Sequence, residues 1–252
     1  MAVYYLNRAV FRKGDLKTAF AKAASILKED RDIDTITFLV YQAMHYDSFL
    51  GEMNFTKQHY KTHIARMGNY KVQVHTVKTY SPEYQFQGHP QSEMLIAVGV
   101  PPKQLERFED YSNIKYWVIV PWQLDEYKEW LSIFEGIDIE TGQVCTPPAP
   151  ADERIANAIG WLRVTSYPNE GCHHPLDVDR LHEMSNALKH YKVPFNYAST
   201  MYCAMHTGLI PSAALNTAEA FMRAQTRAFA LRHSDSDYAF MKDMMETKHD
   251  RS

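Results

Sequence analysis

Two unbroken apolar runs in the middle of the chain limit its fold more than any other feature of the sequence. Leu95-Ile96-Ala97-Val98-Gly99-Val100 leads through Pro101-Pro102 into the amphipathic segment Lys103–Tyr111. Tyr116-Trp117-Val118-Ile119-Val120 leads through Pro121-Trp122 into a second such segment, Gln123–Phe134. A strand with no polar position has to be covered on both faces, and a parallel sheet flanked by helices does this. Proline suits the first turn of each following helix, because the N–H it lacks would have had no partner there. The doublet predicts an α/β domain with an open, mostly parallel sheet, Rossmann-like in its layering.

Upstream segments fit the same architecture. Asp15 is placed to cap a helix over Leu16–Lys28, with Leu16, Phe20, Ala23, Ala24 and Leu27 on one stripe. Thr35–Tyr41 is a β-branched and aromatic run of strand length. A second helix is expected over Thr56–Arg66, ending near Gly68. Tyr70–Tyr80 reads as a strand with Tyr70, Val72, Val74 and Thr76 on one face and Lys71, Gln73 and His75 on the other. The proline-rich stretch Thr146–Ala151 is a stiff, uncharged linker, dividing residues 1–147 from a helical domain over 148–252. That second part should hold four helices: Asp152–Thr165, Asp177 to about Tyr191, Asn196 to Gly208, and Ser212 to about Leu231. Met201, Met205 and Met222 are expected in its core, and the charged tail Asp243–Ser252 is expected to fray.

Composition narrows the function. Three cysteines, Cys145, Cys172 and Cys203, cannot form a closed disulfide framework, which points to a reducing compartment. No segment reaches the ~20 apolar residues of a membrane span, and MAVYYLNRAVFRKGD lacks the apolar core of a secretory signal. A cytoplasmic location without membrane partners is the expectation. The motifs G-x-x-x-x-G-K-[ST], G-x-G-x-x-G and G-x-S-x-G are all missing, which argues against Walker-type phosphate loops, dinucleotide fingerprints and the nucleophile elbow. No cofactor follows from the sequence.

The net charge of −3 hides an asymmetry. Between Glu52 and Glu83 no acid occurs, while Lys57, Lys61, Arg66, Lys71 and Lys78 alternate with Phe55, Tyr60, Tyr70 and Tyr80. Cations beside aromatic rings suit phosphates and stacked bases, although the same pattern also makes an ordinary solvated face. Lys57, Lys61, Arg66 and Lys71 are the candidate charges for an anionic ligand. Lys103 and Trp122 join them because they follow strands whose carboxyl ends are where open α/β sheets bind ligands, and because helices starting there would offer free N–H groups.

Candidate chemistry is sparser. His45 and Asp47 follow the Thr35–Tyr41 strand and could act as a base and its orienting carboxylate. His59 and His63 have the one-turn spacing of a metal-binding pair, without the glutamate of H-E-x-x-H or a third ligand nearby. Cys172, His173 and His174, just before Asp177, form the densest reactive cluster. As a structural turn, the same residues would leave Asp177 as a helix cap. Arg223 and Arg227 stand four apart on the last long helix, and Cys203–Ser212 has the outline of a helix-turn-helix corner. The leading expectation is a binding or regulatory protein whose α/β domain recognises a nucleotide or short nucleic acid. The alternatives are a hydrolase acting on a phosphorylated or nucleotide substrate through His45 and Asp47 or Cys172 and His174, and a homodimeric interaction module without a small ligand.

Overall fold

The two apolar runs become neighbouring strands in the middle of a sheet in the computed structural model. It describes residues 1–33, 35–42, 57–62, 64–67, 70–80, 92–108, 114–165, 175–229 and 234–249. The chain forms two units, Met1–Thr146 and Pro147–Ser252. In the first, strands β1 (Ala2–Tyr5), β2 (Thr35–Val40), β3 (Ile64–Met67), β4 (Tyr70–Thr76), β5 (Glu93–Val98), β6 (Ile114–Val120) and β7 (Ile137–Asp138) lie in the order β3-β4-β2-β5-β6-β1-β7. Every pairing is parallel except β3 with β4. β5 is buried along its whole length, as its composition requires of a strand covered on both faces.

One face of the sheet carries Ile36, Phe38, Val40, Val72, Val74, Met94, Ile96, Val98, Val118 and Val120. Helix α1 (Asp15–Glu29) lays Leu16, Ala19, Phe20, Ala23, Ile26 and Leu27 on it, close to the stripe its periodicity predicts, with Ala24 only half-buried. Asp15 is not its cap. Gly14 takes that position at φ 98°, and the buried Asp15 carboxylate accepts the Arg12 backbone N–H at 2.6 Å, holding the loop that precedes the helix. Helix α2 (Lys57–Thr62) is shorter than expected: it stops at Thr62, and β3 follows as an edge strand antiparallel to β4, with Met67 opposite Tyr70. In sequence Gly68-Asn69 joins them, a dipeptide that marks hairpins; reading for helical period hides it.

On the other face lie Trp117, Leu95, Leu39 and Ile119. Helix α3 (Pro102–Leu105) runs into a 3₁₀ turn, Glu106–Phe108; the 3₁₀ turn Leu124–Tyr127 runs into helix α4 (Lys128–Ile133). The second spans Leu124–Ile133, almost the whole of the expected segment Gln123–Phe134, and the first covers Pro102–Phe108 of the expected Lys103–Tyr111, residues 109–113 lying outside those described. Trp130 packs near Trp117, centroids 6.1 Å apart, and Tyr127 donates its hydroxyl to the Val100 carbonyl at 2.6 Å, tying this connection to the end of β5.

The second unit contains α5 (Glu153–Thr165), α6 (Pro175–His190), α7 (Tyr197–His206), α8 (Pro211–Thr226) and α9 (Asp235–Glu246). Asn196 caps α7 as expected, accepting the Ser199 N–H at 2.9 Å, and Gly208 at φ 93° follows the end of that helix. Asp177, by contrast, lies inside the first turn of α6, fully buried and 3.6 Å from Arg180, so it does not cap the helix. The expected fraying begins too early in the chain. Residues 235–246 are helical, capped reciprocally by Ser234 and Asp237, with Met241 and Met245 buried. Asn157 of α5 donates to the Met245 carbonyl at 2.9 Å. Of the three methionines assigned to the core, Met201 is buried, Met205 half-buried and Met222 exposed. No helix among the described residues is long and apolar enough to cross a membrane.

Candidate functional site

The chain leaves β2 toward β4 on one side and leaves β5 toward β6 on the other, although β2 and β5 are neighbours. Their carboxyl ends therefore border the crevice at which open α/β sheets bind ligands. Gly99, at the end of β5, has φ 59°, and a Cβ there would stand 3.1 Å from the Trp122 ring. Glycine serves both the left-handed backbone and the close approach of the indole. Trp122 stacks on Phe11 at 5.6 Å and 4° and is 40% exposed. The backbone holds the pair in place: the Phe11 N–H donates to the Trp122 carbonyl at 3.1 Å, and the Leu124 N–H to that of Ala9 at 3.2 Å.

On the segments that carry this pair, Arg12 and Lys13 directly follow Phe11, and Lys103 stands four residues after Gly99; all three are exposed, and among the described residues none forms an ion pair. Arg8, on the same loop, is occupied by Glu140 and lies 3.8 Å from Asp15. The helix N-termini expected to add N–H donors contribute little. α3 has four residues, and its Gln104 and Leu105 N–H groups already bond the Pro101 carbonyl at 2.8 and 3.2 Å. A single turn has no aligned dipole to speak of.

The six residues assigned to an anionic ligand do not gather in one place. Lys57 and Lys61 are one turn apart on α2, and the register sets Arg66 directly opposite Lys71 in the edge hairpin. Lys71 stands near the amino end of β4, five residues before its carboxyl end at Thr76, roughly 17 Å along the strand. Lys103 and Trp122 follow the carboxyl ends of β5 and β6. Two basic regions result, an edge hairpin and a carboxyl-end surface.

Other candidates resolve differently. His59 lies on α2, and its expected partner His63 lies outside the described residues. His45, Asp47, Cys172, His173 and His174 also lie outside them. Among the described residues no group of three potential ligands is placed to hold a metal. Cys203 is half-buried, and burial pushes its thiol above the ordinary range, which disfavours a thiolate. Arg223 and Arg227 do not share a helical stripe. α8 ends at Thr226, Arg227 is extended, and the Arg223 guanidinium lies over the Phe229 ring at 4.8 Å.

The helical unit also carries two concavities. One, of about 240 Å³, is lined by Phe195 and Phe221 together with Lys189 and Lys192. Those lysines follow or end α6, where cations answer the negative end of the helix dipole, so an anion would compete with the helix for them. The other, of about 260 Å³, lies between α6 and the end of α8 and is lined by His182, Asn216, Glu219, Arg223 and Phe229. Burial first, then the Arg223 charge, hold the His182 imidazole below its ordinary pKa, with Asp179 opposing.

Sequence reasoning missed Phe11, Arg12 and Lys13 because it missed β1, a four-residue strand with no room to show a period. The available signal was Arg12-Lys13-Gly14-Asp15, a basic pair just ahead of a helix start. Comparison of the chain with family models, curated proteins and solved structures finds no match. The fold itself defines the class: an open α/β sheet unit followed by a helical one.

Proposed function

We propose that the α/β unit is a binding module for a phosphate-bearing ligand, a nucleotide in the first instance, held at the carboxyl ends of β5, β6 and β1. The observation that carries this reading is the combination of exposed, unpaired Arg12, Lys13 and Lys103 with the half-exposed Trp122–Phe11 pair beside a strand-order reversal. Cations supply charge for phosphate and the indole edge an apolar surface for a base. The edge hairpin, with Arg66 opposite Lys71, supports a rival placement for a longer, single-stranded nucleic acid, since like charges directly across a ladder are relieved by an anion.

Calorimetric titration of the full chain with AMP, ADP, GDP and a single-stranded 12-mer tests both. Lys103→Glu and Arg12→Glu should each weaken mononucleotide binding about tenfold or more, the scale of one charge-assisted contact, while Lys61→Glu and Lys71→Glu leave it unchanged. Binding of the 12-mer alone, lost in Lys61→Glu and Lys71→Glu, would move the site to the hairpin. No binding of any probe at low salt defeats the proposal.

A further inference from the structure

The concavity between α6 and α8 is built, and its construction points to a ligand unrelated to phosphate. Phe229, three residues beyond the end of α8, is fixed by Asn186 of α6. The buried Asn186 amide accepts the Phe229 N–H at 2.8 Å and donates to the Phe229 carbonyl at 3.1 Å. Its ring then stacks on His182 at 3.7 Å and 13°, and Arg223 lies over the same ring.

This arrangement separates a pair that would ordinarily join. Glu219 and Arg223 stand at i and i+4 with the acid N-terminal, the favourable order for a helical ion pair. Among the described residues neither takes part in an ion pair. The guanidinium is drawn onto Phe229, so a carboxylate and a guanidinium line one cavity side by side, each available to a ligand. Leu181 and Ala220 supply an apolar wall between the helices. A cavity of about 260 Å³ falls below the ~300–1,000 Å³ of sites for drug-sized ligands, too small for a nucleotide and suited to a small metabolite.

We infer that this cavity binds a small zwitterion, an α-amino acid with an apolar side chain: Glu219 takes the ammonium, Arg223 the carboxylate, and Leu181, Ala220 and Phe229 the side chain. Opposite charges at helical spacing match the two ends of a zwitterion, and an apolar wall matches what lies between. A net-neutral pair of wall charges disfavours simple anions and simple cations alike. His182, uncharged at neutral pH, leaves that balance intact.

The test is titration of the full chain with the twenty L-amino acids, read by amide chemical shifts. L-leucinamide, which lacks the carboxylate, and N-acetyl-L-leucine, which lacks the ammonium, serve as controls. Saturable shifts confined to residues 178–186, 216–223 and 229 are expected for one or more apolar amino acids. Glu219→Gln and Arg223→Gln, both exposed positions that leave the fold intact, should each weaken binding about tenfold or more. L-leucinamide and N-acetyl-L-leucine should each bind the parent more weakly than leucine, the amide losing nothing further in Arg223→Gln protein and the acetylated form nothing further in Glu219→Gln protein. If none of the twenty shifts these residues, or if both controls bind as well as leucine, the inference is wrong. Phosphate-ligand titrations on Lys103→Glu protein are independent of this result, so the two sites fail or stand separately.

Discussion

The two units bury different things. The sheet unit fills its interior with large hydrocarbon and aromatic side chains, with Trp117, Phe38, Leu39 and Leu95 essentially inaccessible. The helical unit buries Ala213, Ala214, Ala218 and Ala224 along α8, together with Asn157, Asn186, Ser185 and Thr217. In the sheet, parallel neighbours satisfy the backbone, so the interior can be apolar. Alanines let helices approach closely, but segments that leave a helix bring peptide groups into the interior that need partners. Asn157 and Asn186 provide them, one at Met245 and the other at Phe229. The buried hydroxyl of Thr217 bonds back to the Ala213 carbonyl within its own helix, at 2.8 Å. Hydrocarbon fills most of the first unit, whose buried carboxylates Asp15 and Glu93 take hydrogen bonds from the Arg12 N–H and the Tyr80 hydroxyl, while placed amides hold the ends of the second.

The largest expected effect is at the centre of the sheet. Trp117→Ala should cost about 3–5 kcal/mol, the range for deleting a buried tryptophan, read as a loss of urea midpoint for the sheet transition. Trp117→Phe sharpens the point. Among the described residues the buried Trp117 Nε1–H has no hydrogen-bond partner, so the phenylalanine variant loses ring contacts but also removes an unsatisfied donor, and its loss should be far smaller. A Phe variant as damaging as Ala would mean that this donor is satisfied in solution.

Next comes the amide clamp. Asn186→Ala strips partners from both the Phe229 N–H and its carbonyl, and should destabilise the helical unit by about 2–3 kcal/mol. Asn186→Asp is the finer probe: a carboxylate still accepts the N–H but cannot donate to the carbonyl, so it should not restore wild-type stability. Hydrogen exchange at Phe229 should rise in both variants. Unchanged protection there would show that packing, not the amide, positions this segment.

Legibility followed the same division. Unbroken apolar runs at β5 and β6 exposed the parallel sheet, because a strand buried on both faces leaves no polar residue to blur it. Helices α5 to α8 were legible from their apolar spacing and their proline and glycine boundaries. β3 was hidden because Ile64-Ala65-Arg66-Met67 extends the apparent helical period of α2, and only the Gly68-Asn69 pair marks the reversal. α9 was hidden because its buried face is two methionines in a segment where charged residues and the exposed Phe240 blur the apolar spacing. The candidate sites were less legible for a related reason. Lys103 and Trp122 are candidates by their position after strands, whereas the pairing of Trp122 with Phe11, and of His182 with Phe229, joins residues separated by 111 and 47 positions. No local pattern encodes such a pairing.

The smallest effect distinguishes the units by acidity. His182 in the helical unit is held below its ordinary pKa by burial and by Arg223. The unfolded chain therefore takes up this proton first, near pH ~6.5. The stability contributed by the neutral imidazole is present above that value and is lost as pH falls below it, the loss ending once the folded group protonates too. Among the described residues of the sheet unit, the Asp30 carboxylate is lowered by hydrogen bonds from Lys115 and from the Tyr116 hydroxyl. Its contribution is present above the unfolded carboxylate value of ~3.9 and is lost only below it. Between those two values the units should part company. Lowering pH from 7 to 5 should reduce amide protection in α6 and the end of α8 and leave β2, β5 and β6 unchanged. His182→Phe keeps a ring against Phe229 but cannot titrate, so it should flatten the helical unit's response over that range. If the variant and the parent lose protection equally, the acid sensitivity belongs to another group, and the contrast between a hydrocarbon interior and a polar, titratable one would no longer rest on His182.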